Sequence, residues 1–170
     1  MLVSDEKLRT LDPEQQRRAV KISASVMATD PWVESGQVQP DVNTVTRNAA
    51  DQAYEQAGIG PDELDLVELH DCFATAELLH YDNLRLCEPG GAGDFIDSGA
   101  PRRDGRTPVN VSGGLISKGH PLGATGVANL YEVATHLRGE AGDRQVEGAR
   151  VGLTHVVGLG TAAAVHILEK

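Results

Sequence analysis

Cysteine is scarce: the 170-residue chain holds two, Cys72 and Cys87. A segment that reads as one helix separates them, which argues against a disulfide framework and for a reducing compartment. Long apolar runs are missing as well. No stretch approaches the roughly 20 consecutive apolar residues of a membrane span, and the N-terminus MLVSDEKLRTLDPEQQRR is charged where a signal peptide needs an apolar centre. A soluble, intracellular protein is expected, with the cytoplasm as default because Leu168-Glu169-Lys170 is no peroxisomal address. Positive charge is the third shortage. Lys and Arg number 15 against 25 Asp and Glu, a formal net charge of −10, which argues against a nucleic-acid surface. Any anionic ligand would have to rely on Arg102, Arg103, Arg106 and Lys118, which equally suit solvated loop charges.

What is present is enough for one domain with a real core and too little for two. Residues 1–18 read as a polar leader or linker, and residues 19–170 as the domain. Val20 to Ala28 alternates as a strand does, Asp30-Pro31 ends it, and a polar loop runs to Asp41. From Val42, apolar residues recur at helical spacing until Gly58. Leu64 to Leu69 suits a buried strand and Phe73 to Leu86 a helix, which puts His70-Asp71-Cys72 at a strand-to-helix junction. Residues 88–108 read as a long loop, a lid or a substrate-facing excursion. A short strand over Val109 to Val111 leads into a glycine-rich run. The next helix follows with Val127, Ala128, Tyr131, Ala134 and Leu137 inward, and Gly139 stops it. Two strands, Arg150 to His155 and Ala162 to Leu168, close the chain as a hairpin around Val156 to Gly160. Strands alternating with helices predict an α/β fold, helices packed on a mixed sheet.

Two glycine motifs lead nowhere. Gly114-Leu115-Ile116-Ser117-Lys118-Gly119 lacks the lysine and hydroxyl residue a phosphate-binding loop requires next, since His120 and Pro121 stand there. Gly158-Leu159-Gly160 has too little chain after it for a dinucleotide-binding unit. Zinc is disfavoured too, because His70, Cys72, His80 and Cys87 lack paired ligand spacing; no metal is expected. Position says more. A helix N-terminus favours developing negative charge, so Cys72 is placed to act as acid and base, with inert packing as its competing reading. His120 sits in a run of glycines with Pro121 fixing the backbone after it, which either holds an imidazole rigidly or makes a surface turn. The Gly158–Gly160 turn could aim a backbone N–H at an oxyanion.

In this order, His70-Asp71-Cys72-Phe73, the stretch from Ser112 to Gly126 around Gly119-His120-Pro121, and His155-Val156-Val157-Gly158-Leu159-Gly160 resemble the thiolase superfamily. The resemblance is to the C-terminal half of the sterol-carrier-protein-type, or lipid-transfer-protein, thiolases, and runs from about residue 20 to the end. It implies one βαβαβαββ half of a two-half enzyme that cleaves or condenses 3-oxoacyl-CoA in fatty-acid or sterol breakdown, with coenzyme A as substrate and no cofactor. It implies that a nucleophilic cysteine comes from an N-terminal half, that His120 activates it, and that His70 and His120 donate to the thioester oxygen. Cys72 would move the proton, since Val156 occupies the hairpin position that carries this thiol in most other thiolases. The backbone amide of Gly158 would serve a second oxyanion, and Ser112, Gly113, Gly119 and Pro121 would contact substrate. Pairing of halves and thiolase-type dimerisation are implied as well. Two alternatives stand beside this reading: a thiolase-like aldolase subunit acting on steroid side-chain CoA esters, and a non-catalytic acyl-CoA-binding module.

Overall fold

The computed structural model describes residues 1–29, 42–159 and 161–170. Asp30-Pro31, the loop expected up to Asp41, and Gly160 of the closing hairpin lie outside the described residues. The helices are α1 (Asp5–Leu8), α2 (Pro13–Arg18), α3 (Val42–Ala57), α4 (Ala74–Asn83), α5 (Ala92–Asp97), α6 (Gly114–Lys118) and α7 (Thr125–Leu137). The strands are β1 (Lys21–Thr29), β2 (Leu66–Glu68), β3 (Val151–Gly158) and β4 (Ala162–Glu169), in one mixed sheet of order β1-β4-β3-β2. Strand β4 runs antiparallel to β1 and β3, whereas β2 runs parallel to β3. The carboxyl ends of β2 and β3 therefore open onto the same rim, the side on which open α/β sheets place their ligands.

Helices cover both faces of the sheet. On one side α3 presents Val45, Ala49, Ala50 and Ala53, all essentially inaccessible, to Ala24, Leu153, Val165 and Ile167 of the strands. Its alanines let the helix backbone approach the sheet closely. The helix stops at Gly58, whose φ of +69° is the left-handed value that lets the N–H groups of Gly58 and Ile59 both reach the Tyr54 carbonyl. On the other side α7 buries Val133 and Leu137 against Leu66, Val146, Ala149 and Leu168. Each fully buried Val or Leu here contributes about 1.5–3 kcal/mol. Side chains alternate along β3, so Leu153 and His155 face α3 and α4 while Val156 meets α7 at Gly126.

Five local expectations are corrected. Val109 to Val111 forms no strand: only Val109 bridges to Val67, because Asn110 turns to φ +51° and its side-chain oxygen takes the Leu69 N–H at 2.9 Å in place of a ladder bond. Residues 88–108 contain α5, whose buried Phe95 meets Tyr81 of α4 edge to face at 5.0 Å, so the segment is folded onto α4. Residues 1–18, for which no regular element was expected, form two short helices capped by Ser4 and Asp12, though these bury no residue. Helix α4 ends at Asn83, with Leu84 and Leu86 buried beyond it around Arg85 at φ +58°. Helix α7 starts at Thr125, and its inner face carries Asn129, Val133, His136 and Leu137. Val127 and Tyr131 are 69% and 68% exposed. Polar partners turn that helix, as Glu132 and His136 are tied to the loop that follows it. Among the described residues no helix is long and apolar enough to cross a membrane.

Candidate functional site

The end of β2 is knitted to the glycine-rich segment by three successive contacts. Buried Glu68 accepts from the Ser112 backbone N–H at 3.0 Å, its hydroxyl at 2.6 Å and Lys118 at 3.3 Å. Asn110 holds Leu69, as described. Asp71, 2% exposed, accepts from the backbone N–H of Leu115 at 2.7 Å and of Ile116 at 3.4 Å. Burial pushes the Glu68 carboxyl up, against the pull of Lys118 and Ser112.

Between these anchors His70 turns toward the rim. Its ring lies 4.9 Å from that of His120, at an interplanar angle of 82°. The backbone N–H of His70 donates to Nδ1 of His155 at 3.5 Å, and Nε2 of His155 lies 3.4 Å from the Thr46 hydroxyl. With Nδ1 accepting, His155 carries its proton on Nε2 and donates to Thr46. Behind it His80 contacts His155 at 4.4 Å between centroids. Burial, then the neighbouring imidazole charge, lowers His70 to about 4 and His80 to about 4. The same causes hold His155 well below the usual histidine range. These rings are neutral near pH 7, so they donate or accept hydrogen bonds without adding charge. His120 is fixed differently. Its Nδ1 is 2.7 Å from the Thr125 hydroxyl, which itself lies 3.1 Å from the Pro121 carbonyl. Both contacts are satisfied when Thr125 donates to Pro121 and accepts from Nδ1–H, which leaves Nε2 of His120 unprotonated.

These groups share one cavity of about 610 Å³, lined by Val42, His70, Cys72, Ala76, Leu79, His80, His120, Leu122, Val156, Val157, Gly158 and Leu159. Cys72 is exposed and free, just before Phe73 opens α4. Most of the lining is hydrocarbon, and the polar side chains are three imidazoles and one thiol. Such a surface suits a largely apolar ligand that also meets hydrogen-bonding side chains. Another cavity, of about 380 Å³ around Cys87, Arg85 and Arg106, holds none of these groups.

The structure thus brings His70, Cys72, His120 and Gly158 together. It does not bring Ser112 and Gly113 to the cavity: Ser112 is engaged by Glu68 and Lys118, and Gly113 caps the start of α6. Gly119 and Pro121 flank His120 without lining the cavity. Three of the four basic residues considered for an anionic ligand are engaged: Arg106 with Asp62, Arg103 with the Asp143 carbonyl and Lys118 with Glu68. The sequence reading weighed His80 only as a zinc ligand and gave Asp71 no role of its own. A signal for His80 existed, because Ala76, Leu79, His80 and Asn83 share one face of α4 at helical spacing. Among the described residues no group of three or more His, Cys, Asp or Glu side chains could hold a metal ion.

A mixed sheet covered by helices on both faces, with His70, Cys72 and His120 gathered at the rim where its parallel strands end, defines an α/β domain. Comparison with known proteins makes this specific: the family described as Thiolase C-terminal domain-like matches residues 32–170, and the chain belongs to that family. Sterol carrier protein 2 of Rattus norvegicus is 48% identical over 153 residues, which cover 88% of this chain and 28% of that protein. An acetyl-CoA acetyltransferase of Methanothermobacter thermautotrophicus is 51% identical over 126 residues, covering 74% of this chain and 33% of that one. Among solved structures, the Ltp2-ChsH2(DUF35) aldolase shares the fold with a TM-score of 0.71 at 23% identity, covering 88% of this chain and 39% of the other. The chain spans less than a third of the length of the sterol carrier proteins it matches.

Proposed function

We propose that this domain is the C-terminal catalytic half of an acyl-CoA thiolase, an acyltransferase that cleaves 3-oxoacyl-CoA or forms it by Claisen condensation. The observation that carries this reading is the meeting of His70, Cys72 and His120 on one largely apolar cavity. In thiolysis a thiolate supplied by an N-terminal half adds to the 3-keto carbon, and the bond between C2 and C3 breaks. The electron pair of that bond passes to C2 as the enolate of acetyl-CoA, which Cys72 protonates. Nε2 of His120 takes the proton of that cysteine as its thiolate forms; the acyl group left on the sulfur then passes to the thiol of coenzyme A, whose proton restores Cys72, and the released cysteine recovers its own from His120. Thereafter His120 and neutral His70 donate hydrogen bonds to the thioester oxygen as enolate charge develops. The Gly158 amide, at the same rim, serves the oxyanion formed at the 3-keto carbon. Coenzyme A is then a substrate and no cofactor is required. Function through paired halves and dimers, in fatty-acid or sterol breakdown and in a reducing compartment such as the cytoplasm, belongs to the same proposal.

The test mixes the purified chain with a cysteine-bearing N-terminal thiolase half and assays thiolysis of 3-oxoacyl-CoA. We expect turnover that disappears in the Cys72→Ala, His120→Ala double variant; turnover surviving that double substitution defeats the reading. A second reading, a non-catalytic acyl-CoA-binding module, is supported by the largely apolar lining of the same cavity. Calorimetry separates it: tight binding of acyl-CoA with no turnover in the presence of the N-terminal half supports the module.

A further inference from the structure

We infer that Asp71 is a positioning residue: its buried carboxylate locks the loop carrying His70 and Cys72 to the loop carrying His120, and so sets the separation of the two imidazoles. The carboxylate stands one residue from His70 and one from Cys72, yet it does not line the cavity. It points into the glycine-rich segment, where Leu115 and Ile116 at the start of α6 donate to its two oxygens. Helix α6 is a single short turn that runs directly into Gly119 and His120. Fixing Leu115 and Ile116 therefore fixes the approach to His120.

Two observations show that the lock is built for close contact. Gly114 adopts φ +63°, and a Cβ there would collide with both oxygens of Asp71. The position demands glycine because the carboxylate occupies the space. Nor is the charge placed there to meet a cation, since among the described residues Asp71 forms no ion pair; backbone N–H groups hold it. Asparagine matches the shape but offers one acceptor where two donors converge, so the second N–H would face an amide NH₂.

This inference rests on reading the rim as the catalytic site, but its test needs no turnover, so failure of either shows separately. The full chain is examined by NMR as wild type, Asp71→Ala and Asp71→Asn, following the cross-ring NOE between His70 and His120 and the titration of His70. Groups facing His70 are His120, His155, His80 and Asp71. We expect the NOE to be lost in Asp71→Ala and weakened in Asp71→Asn. His70 should titrate above its starting value of about 4 as the loop loosens and its ring gains water. A purely electrostatic role moves the titration the other way, because removing the negative charge lowers it, and leaves the NOE intact. A merely stabilising role changes neither. Either result overturns the proposal. If Asp71→Ala does not fold, Asp71→Asn carries the same decision. In enzyme reconstituted with an N-terminal half, we expect Asp71→Ala to lower kcat by about 10²-fold with KM little changed, the signature of misplaced groups.

Discussion

Buried histidine stands at two different places in this molecule, alone beside α7 and as a group at the rim, and the two places differ in what the rings face. On the α7 side His136, 1% exposed, accepts from the Val146 N–H at Nδ1 at 3.1 Å, while its Nε2 lies 3.3 Å from the Glu132 carboxylate without a hydrogen bond. Glu132 in turn takes bonds of 2.8–3.1 Å from Arg144. At the rim, His70 leaves its buried Nδ1 without a protein partner, and the rings of His70 and His120 meet edge to face above an apolar cavity. Burial lowers both His136 and His70. Burial and a displaced pKa therefore do not distinguish a site from a strut. An unpartnered ring nitrogen does not distinguish them either, since each ring has one; the distinguishing feature is whether the ring meets other polar groups on space a ligand can occupy.

The sharpest way to break this comparison is activity. In the reconstituted enzyme we expect His120→Ala to lower thiolysis by about 10³-fold or more, whereas His136→Ala should stay within about twofold once the folded fraction is matched. Equal losses would erase the distinction.

Acid comes next. Histidine in an unfolded chain titrates near 6.5, while His70 and His80 sit at about 4 and His155 lower still in the fold. Below about pH 6.5 the unfolded chain thus binds more protons, and native stability falls as pH drops toward 4, by up to about 1.4 kcal/mol per pH unit for each ring. Urea midpoints at pH 7.5, 6 and 5 should record the decline. His80→Leu should flatten it, and a midpoint independent of pH would contradict the burial argument.

His136→Ala should then cost about 2–4 kcal/mol in the same denaturation assay, because it strands the Val146 N–H and strips a partner from buried Glu132. His120→Ala, at a half-buried position, should cost about 1 kcal/mol or less. The smallest effect is expected at the exposed Arg85–Asp51 pair, where Asp51→Ala should change stability by less than about 1 kcal/mol.

Much of the fold was legible because it rests on local periodicity. Strands β1, β3 and β4, helices α3 and α4 and the closing antiparallel pair follow from alternation, helical spacing and glycine stops, although β3 runs on through Val156, Val157 and Gly158, expected in the turn, which pair with Ala164, Ala163 and Ala162. Three features escaped for a shared reason. Asn110 replaces a strand with a side-chain bond, α7 turns polar residues inward, and Phe95 draws a glycine-rich stretch onto Tyr81. In each case a partner distant in the chain overrides the local pattern. At the site, His70, Cys72 and His120 stood out by motif. Asp71 did not, because nothing in His70-Asp71-Cys72 tells which way its carboxylate points.

The order of residues alone determined which groups are available and where they sit along the chain: a histidine and a thiol at a strand end, and a histidine held between glycine and proline. These follow from short-range chemistry that no distant contact alters. Only the tertiary structure decided that the two imidazoles stand 4.9 Å apart, that His155 and His80 lie behind them, and that His136 is tied up elsewhere. Those outcomes depend on the parallel pairing of β2 with β3 and on bonds such as that from the Leu115 N–H to the Asp71 carboxylate, which span 40 or more residues. Such contacts are set by the packed fold as a whole.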